Sequence, residues 1–128
     1  MKGETMDIKK INKLIDDLKI EFGDALLATD IWANVDGQIL VGYNSLPEAA
    51  ALLNQVYHQI VDTLKEADFP PLDKFTSFNL QGGKMTFCLL FEDYQWGMLF
   101  DTEKIQLGLL FNVIAPKCIE GFHEALTG

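Results

Sequence analysis

Residues Lys84 to Ala115 read KMTFCLLFEDYQWGMLFDTEKIQLGLLFNVIA. Met85 to Phe91 and Trp96 to Phe100 are nearly unbroken apolar runs, separated by the polar turn Glu92-Asp93-Tyr94-Gln95. A strand with one wet face alternates apolar and polar side chains, so these runs predict strands covered on both faces. Such a sheet needs helices on both sides, which points to an α/β sandwich and away from a half-exposed β domain or a helical bundle.

Working outward, Phe75 to Leu80 predicts the preceding strand, and Gln81-Gly82-Gly83-Lys84 turns it back into Met85. Further upstream, Ala25 to Asn34 and Gln38 to Tyr43 form a hairpin around Asp36-Gly37. A first helix carries Ile8, Ile11, Leu14, Ile15, Leu18 and Phe22 at helical spacing, begins after the N-cap Asp7 and ends near Gly23. A long second helix runs to about Ala67, and Ser45-Leu46-Pro47-Glu48 opens it as a capping box with Pro47 in the first turn. The last helix spans about Lys104 to Leu126, with Thr102 as its cap and a kink at Pro116. Its apolar stripe is Leu107, Phe111, Ile114, Cys118, Phe122 and Leu126, while Leu109 and Val113 lie opposite and are expected under the first helix. The whole, 1–128, reads as one domain with a flexible N-terminus at 1–6.

Nineteen acidic side chains against ten basic ones give a net charge of −9, and all ten basic residues are lysines. The sign disfavours nucleic acid as a partner. Without a guanidinium fork the chain has no arginine finger to complete a phosphoryl-transfer site. No apolar run approaches the ~18 residues that cross a bilayer, and MKGETMDIKK lacks the apolar centre of a signal peptide, so no membrane insertion and a cytoplasmic location are expected. Cys88 falls in a predicted strand and Cys118 in a predicted helix, without a CxxC companion, and both read as free buried thiols.

Nucleophilic catalysis needs a nucleophile, a base and an orienting group that converge. The serines are Ser45, spent as a cap, and Ser77; His58 and His123 fall on polar helical arcs without the second His or Cys pair that zinc requires. Asp16, Asp17, Glu21 and Asp24, interspersed with Lys13 and Lys19, read as a solvated helix face. Gly82-Gly83-Lys84 joins two strands, whereas a phosphate loop leads into a helix, so it reads as a hairpin turn. The expectation is a protein that is not an enzyme, with no catalytic residue, cofactor or metal.

The second helix carries Ala49, Leu52, Leu53, Val56, Tyr57, Ile60, Val61 and Leu64 over about half its circumference, wider than the ~100° stripe that packing on one sheet requires. Either the helix lies deep in a groove of its own domain or it forms a dimer seam. The Phe75 strand ends the sheet in this hairpin order and carries no charge to repel another copy, which favours pairing with a second subunit. The candidate dimer surface is therefore Leu53, Tyr57, Ile60 and Leu64 with Phe75, Thr76, Ser77, Phe78, Asn79 and Leu80.

In its order of helix, hairpin, long helix, three-stranded meander and helix, the chain resembles the Roadblock domain family, which includes roadblock-type dynein light chains and bacterial regulators of Ras-like GTPases. LLATDIWANVDGQILVGY, MTFCLLFEDYQWGMLFD and IQLGLLFNVI carry the likeness. It implies a profilin-like α+β sandwich, a five-stranded antiparallel sheet with helices on both faces. It further implies homodimerisation through the third strand and second helix, and a role in binding or regulating a small Ras-like GTPase or scaffolding a larger complex. A second reading is a small-molecule-sensing domain, with Trp32, Tyr57 and Trp96 lining a pocket between helix and sheet.

Overall fold

A computed structural model describes residues 7–127; the flexible segment expected at 1–6 lies outside them. The chain runs α1 (Ile8–Phe22), a 3-10 turn, β1 (Leu26–Ala33), β2 (Ile39–Tyr43), α2 (Pro47–Glu66), β3 (Phe75–Leu80), β4 (Lys84–Leu90), β5 (Tyr94–Asp101), α3 (Leu107–Leu109), a π-helical turn (Leu110–Ile114) and α4 (Ala115–Thr127). The strands form one antiparallel sheet in the order β2-β1-β5-β4-β3.

Registry explains why the apolar runs are unbroken. Met85, Phe87 and Leu89 of β4 pair with Phe100, Met98 and Trp96 of β5, and all six side chains enter the core beneath α1 and α4. The residues between them, Thr86, Cys88 and Leu90 beside Leu99, Gly97 and Gln95, fall on the opposite face, toward α2. The expected cover on both faces is present, though the two sides differ in depth. The α1/α4 side holds most of the core: Ile11, Phe87, Trp96, Phe100, Leu110 and Phe122 are fully buried there. The α2 side is a small cluster of Trp32, Ala50 and Cys88 with Ile39, Leu53 and Leu90 packed against it.

Asp7 caps α1 through its carboxylate, which accepts from the amides of Lys9 and Lys10, and its own amide donates to Ala125 of α4. The capping box expected at Ser45 is absent. Leu46 is the N-cap of α2, Pro47 is the first helical residue, and Asp30 of β1 accepts from the Leu46 amide at 2.9 Å. Starting one residue later puts Glu48 too early to reach back, and a buried carboxylate on the sheet takes the cap's place.

Pro116 neither ends the last helix nor sits in a regular one. Lacking an amide hydrogen, it cannot donate to Asn112, and the turn just before it widens so that the Ala115 amide bonds Leu110. The helix also begins at Leu107, later than expected, with Gln106 and not Thr102 as its cap. Leu109 and Val113 stay about half exposed, so α1 does not cover them. Gly82 and Gly83 take positive φ in the β3–β4 turn, where the Lys84 ammonium donates to the Gly82 carbonyl; the glycines shape a hairpin. Cys88 and Cys118 are buried free thiols, both pushed up to about 12 by desolvation.

Candidate interaction surface

The second helix is held to the sheet by unusual means. Its buried residues are Ala50 and Asn54, one turn apart. Ala50 rests on the Trp32 and Cys88 cluster, where a small side chain allows close approach. Asn54 enters a buried polar knot: its amide donates to the Asn34 carbonyl at 3.1 Å, and its oxygen accepts from the Gln95 amide at 2.9 Å. Gln95 also donates to the Asn34 side-chain oxygen, while the Asn34 amide donates to the carbonyls of Phe91 and Glu92. His58 reaches the same Asn34 carbonyl through Nε2 at 2.7 Å. Because a carbonyl only accepts, Nε2 carries the proton there. The knot fastens α2 to the turns after β1 and β4, and His58, expected to be merely solvated, belongs to it.

Anchored on this narrow line, α2 leaves its wide apolar flank partly open. Leu53, Tyr57, Ile60 and Leu64 are all half-buried, so the helix is not sunk in a groove of its own domain. Leu53 touches the Trp32 cluster and Tyr57 meets the His58 ring edge-on. The C-terminal half of the helix borders a groove of about 600 Å³, shared by Tyr57, Val61 and Lys65 with Phe69, Leu72 and His123.

β3 is an edge strand, hydrogen-bonded on one side to β4. Its six candidate residues divide by parity. Thr76, Phe78 and Leu80 lie opposite Cys88, Thr86 and Lys84, on the α2 side of the sheet, and Leu80 remains 44% exposed. Phe75, Ser77 and Asn79 point to the other side, where Phe75 stacks against Phe87 and Phe111. The structure therefore brings Leu53, Tyr57, Ile60 and Leu64 to the same side of the sheet as Thr76, Phe78 and Leu80. It sets Phe75, Ser77 and Asn79 behind them, with the β3 backbone edge between. Ala50, Asn54, Gln95 and Asn34, which orient this surface, carry no apolar or catalytic signal in the sequence; the position of Asn54 one turn after Ala50 is the trace they leave.

The aromatic residues of the pocket reading are scattered. Trp32 lines a cleft under the start of α2, Tyr57 lines the groove at its other end, and Trp96 is buried on the opposite face, donating to Thr29 Oγ1 at 2.8 Å. Among the described residues, no group of His, Cys, Asp or Glu could hold a metal, and no helix is long and apolar enough to cross a membrane.

Solved structures share this arrangement. The gliding protein MglB of Thermus thermophilus superposes with a TM-score of 0.75 at 12% identity, covering 99% of this chain and 94% of its own. The Roadblock/LC7 domain from Streptomyces avermitilis superposes with a TM-score of 0.55 at 12% identity, over 80% of this chain and 81% of that one. The fold is that of a Roadblock domain. Profilin IA of Acanthamoeba castellanii has the same architecture, with a TM-score of 0.55 at 11% identity over 94% of this chain and 98% of its own. The profilin-like sandwich expected from the sequence is thus present as a Roadblock fold, with α2 on one side of the sheet and α1 and α4 on the other. No protein-family model matches the sequence, and none of the curated proteins does.

Proposed function

We propose that this chain is a homodimeric interaction module in which a second copy pairs along β3 and covers the apolar flank of α2. The composite surface then binds or regulates a small Ras-like GTPase, or holds a larger complex together. The observation that carries this reading is the juxtaposition of two incomplete elements on one side of one sheet. β3 offers a backbone edge hydrogen-bonded on one side, with no charged side chain, and α2 offers a half-buried row from Leu53 to Leu64 on the same side of the sheet as Thr76, Phe78 and Leu80. A two-fold axis beside β3 would satisfy both at once, since the edge and the row would meet their own counterparts. The likeness to Roadblock folds supports the same assembly and supplies the class of partner. No catalytic step is assigned to the chain; recognition is its chemistry.

The test uses the purified protein immobilised against Ras-like GTPases from the same cell, each loaded with GDP or a non-hydrolysable GTP analogue. At least one GTPase should bind, with a preference of tenfold or more for one nucleotide state. Absence of binding to every GTPase in both states, by protein of dimer mass, would overturn the partner assignment.

A further inference from the structure

In an antiparallel ladder, residues whose N–H and C=O both reach one neighbouring strand alternate with residues whose groups turn the other way. One residue beyond the Phe75–Leu89 pair, the Leu90 amide donates to the Lys74 carbonyl at 2.8 Å. The alternation then aims the backbone groups of Thr76, Phe78 and Leu80 at β4. The other side of β4 gives the same phase. At the two ends of its ladder with β5, the Thr102 amide donates to Gly83 at 2.8 Å and the Phe91 amide to Tyr94 at 2.9 Å. Odd-numbered residues of β4 therefore serve β5, and even-numbered ones serve β3. Phe75, Ser77 and Asn79 are left directing an N–H and a C=O each off the outer edge of the sheet. Their side chains are exposed, on the side away from α2.

Two copies that pair edge to edge across a two-fold axis must match these odd residues with one another, since they alone carry outward groups. One register uses all of them. With Ser77 on the axis, Ser77 meets its own counterpart and Phe75 meets Asn79 of the other copy, so every outward N–H donates and every outward C=O accepts. A shift of two residues either way leaves Phe75 or Asn79 with no residue of β3 opposite. On the α2 side the same register sets Phe78 against Thr76, an aromatic beside a β-branched side chain, which is a favourable cross-strand pair. It also places Lys74 across from Leu80 and far from its own counterpart. We propose that the second copy pairs along β3 in the antiparallel register centred on Ser77, joining the two sheets into one. This rests on the homodimeric reading above and adds which atoms close the seam: the backbone groups of Phe75, Ser77 and Asn79, the three residues whose side chains face away from the α2 row.

Ser77 and Asn79 are exposed, so cysteine can replace either without entering the core. Residues opposite each other in a hydrogen-bonded pair have Cα atoms about 5.5 Å apart, within the span of a disulfide. An offset of two residues lengthens this to about 8–9 Å, beyond that span. With oxidised glutathione as the electron acceptor, Ser77→Cys should cross-link two chains at least tenfold faster than Asn79→Cys. The wild type, whose Cys88 and Cys118 are buried, should not cross-link. Residue-resolved hydrogen exchange gives a second reading. The amides of Phe75, Ser77 and Asn79 should be protected in the wild-type dimer and exchange freely in Ile60→Asp, which places a charge in the α2 row. Those of Thr76, Phe78 and Leu80, bonded to β4, should stay protected in both. A protein of dimer mass in which Asn79→Cys links as fast as Ser77→Cys, or in which the Phe75 or Asn79 amide exchanges freely, would overturn the register and leave the homodimeric reading standing. A wild-type protein of monomer mass would overturn both.

Discussion

Replacing Asn54 by alanine tests whether α2 is fixed by its polar knot. Asn54 is 7% exposed, and truncation removes two hydrogen bonds, the donation to the Asn34 carbonyl and the acceptance from Gln95. The Asn34 carbonyl keeps His58, but of the two N–H donors of the buried Gln95 amide, one keeps the Asn34 oxygen and the other loses its only acceptor. The loss is therefore about 1 kcal/mol for the bond to the Asn34 carbonyl and about 1–3 kcal/mol for the stranded Gln95 donor. With lost side-chain packing included, the total is about 2–4 kcal/mol. Gln55→Ala, at an exposed position on the same helix, should cost less than about 0.5 kcal/mol. Urea unfolding at one fixed protein concentration, followed by the fluorescence of buried Trp32 and Trp96, measures both. Hydrogen exchange should then quicken in α2 and leave β4 and β5 unchanged. A cost for Asn54→Ala equal to that of Gln55→Ala, or exchange that quickens uniformly, would refute the claim that the knot holds the helix.

Other predictions follow from close packing and from the thiols. A Cβ on Gly97 would stand 2.5 Å from the Trp32 ring, which is fully buried, so Gly97→Ala should destabilise the protein by about 1–3 kcal/mol in the same assay. On Gly121 the nearest atom, at 2.6 Å, is the movable end of Leu14, and alanine favours the helix, so Gly121→Ala should change stability by less than about 1 kcal/mol. Cys88 and Cys118, pushed from an ordinary 9.0 up to about 12 by burial, should resist a thiol reagent in the native state at neutral pH and react fully in urea. Their folded forms hold protons that the unfolded chain releases, so this contribution to stability is intact below pH 9 and falls as the pH climbs from 9 toward 12; urea midpoints across that range check the sign.

The strands were legible because burial on both faces leaves an unbroken apolar run, and β3 and the Asp7 cap of α1 fall where spacing and residue type put them. What the sequence concealed was relative placement. Trp32 and Trp96 look equivalent as pocket aromatics, yet Trp96 pairs with Ile31 and not with Trp32, a shift of one residue that sends the two rings to opposite faces. The same alternation divides Phe75, Ser77 and Asn79 from Thr76, Phe78 and Leu80. Large apolar residues on α2 signal a surface to be covered, but the residues it buries fully against the sheet are Ala50 and Asn54, with Leu53 only partly buried beside them. A small side chain allows close approach and a polar one bonds at a distance set by registry, and neither leaves an amphipathic signature. Helix starts were misplaced for a related reason. Ser45 and Thr102 are good caps locally, but the cap at α2 is supplied by Asp30 from another element, a tertiary contact that overrides local preference.

The central claim, that a second copy completes the β3 edge and the α2 flank, is tested most directly by sedimentation equilibrium of the purified protein at micromolar concentration. The wild-type chain, of 14.4 kDa, should sediment at twice that mass, and Phe78→Asp and Ile60→Asp, each placing a charge in the seam, should sediment as folded monomers. A wild-type protein at the mass of one chain, or a dimer that persists unchanged in both variants, would contradict it.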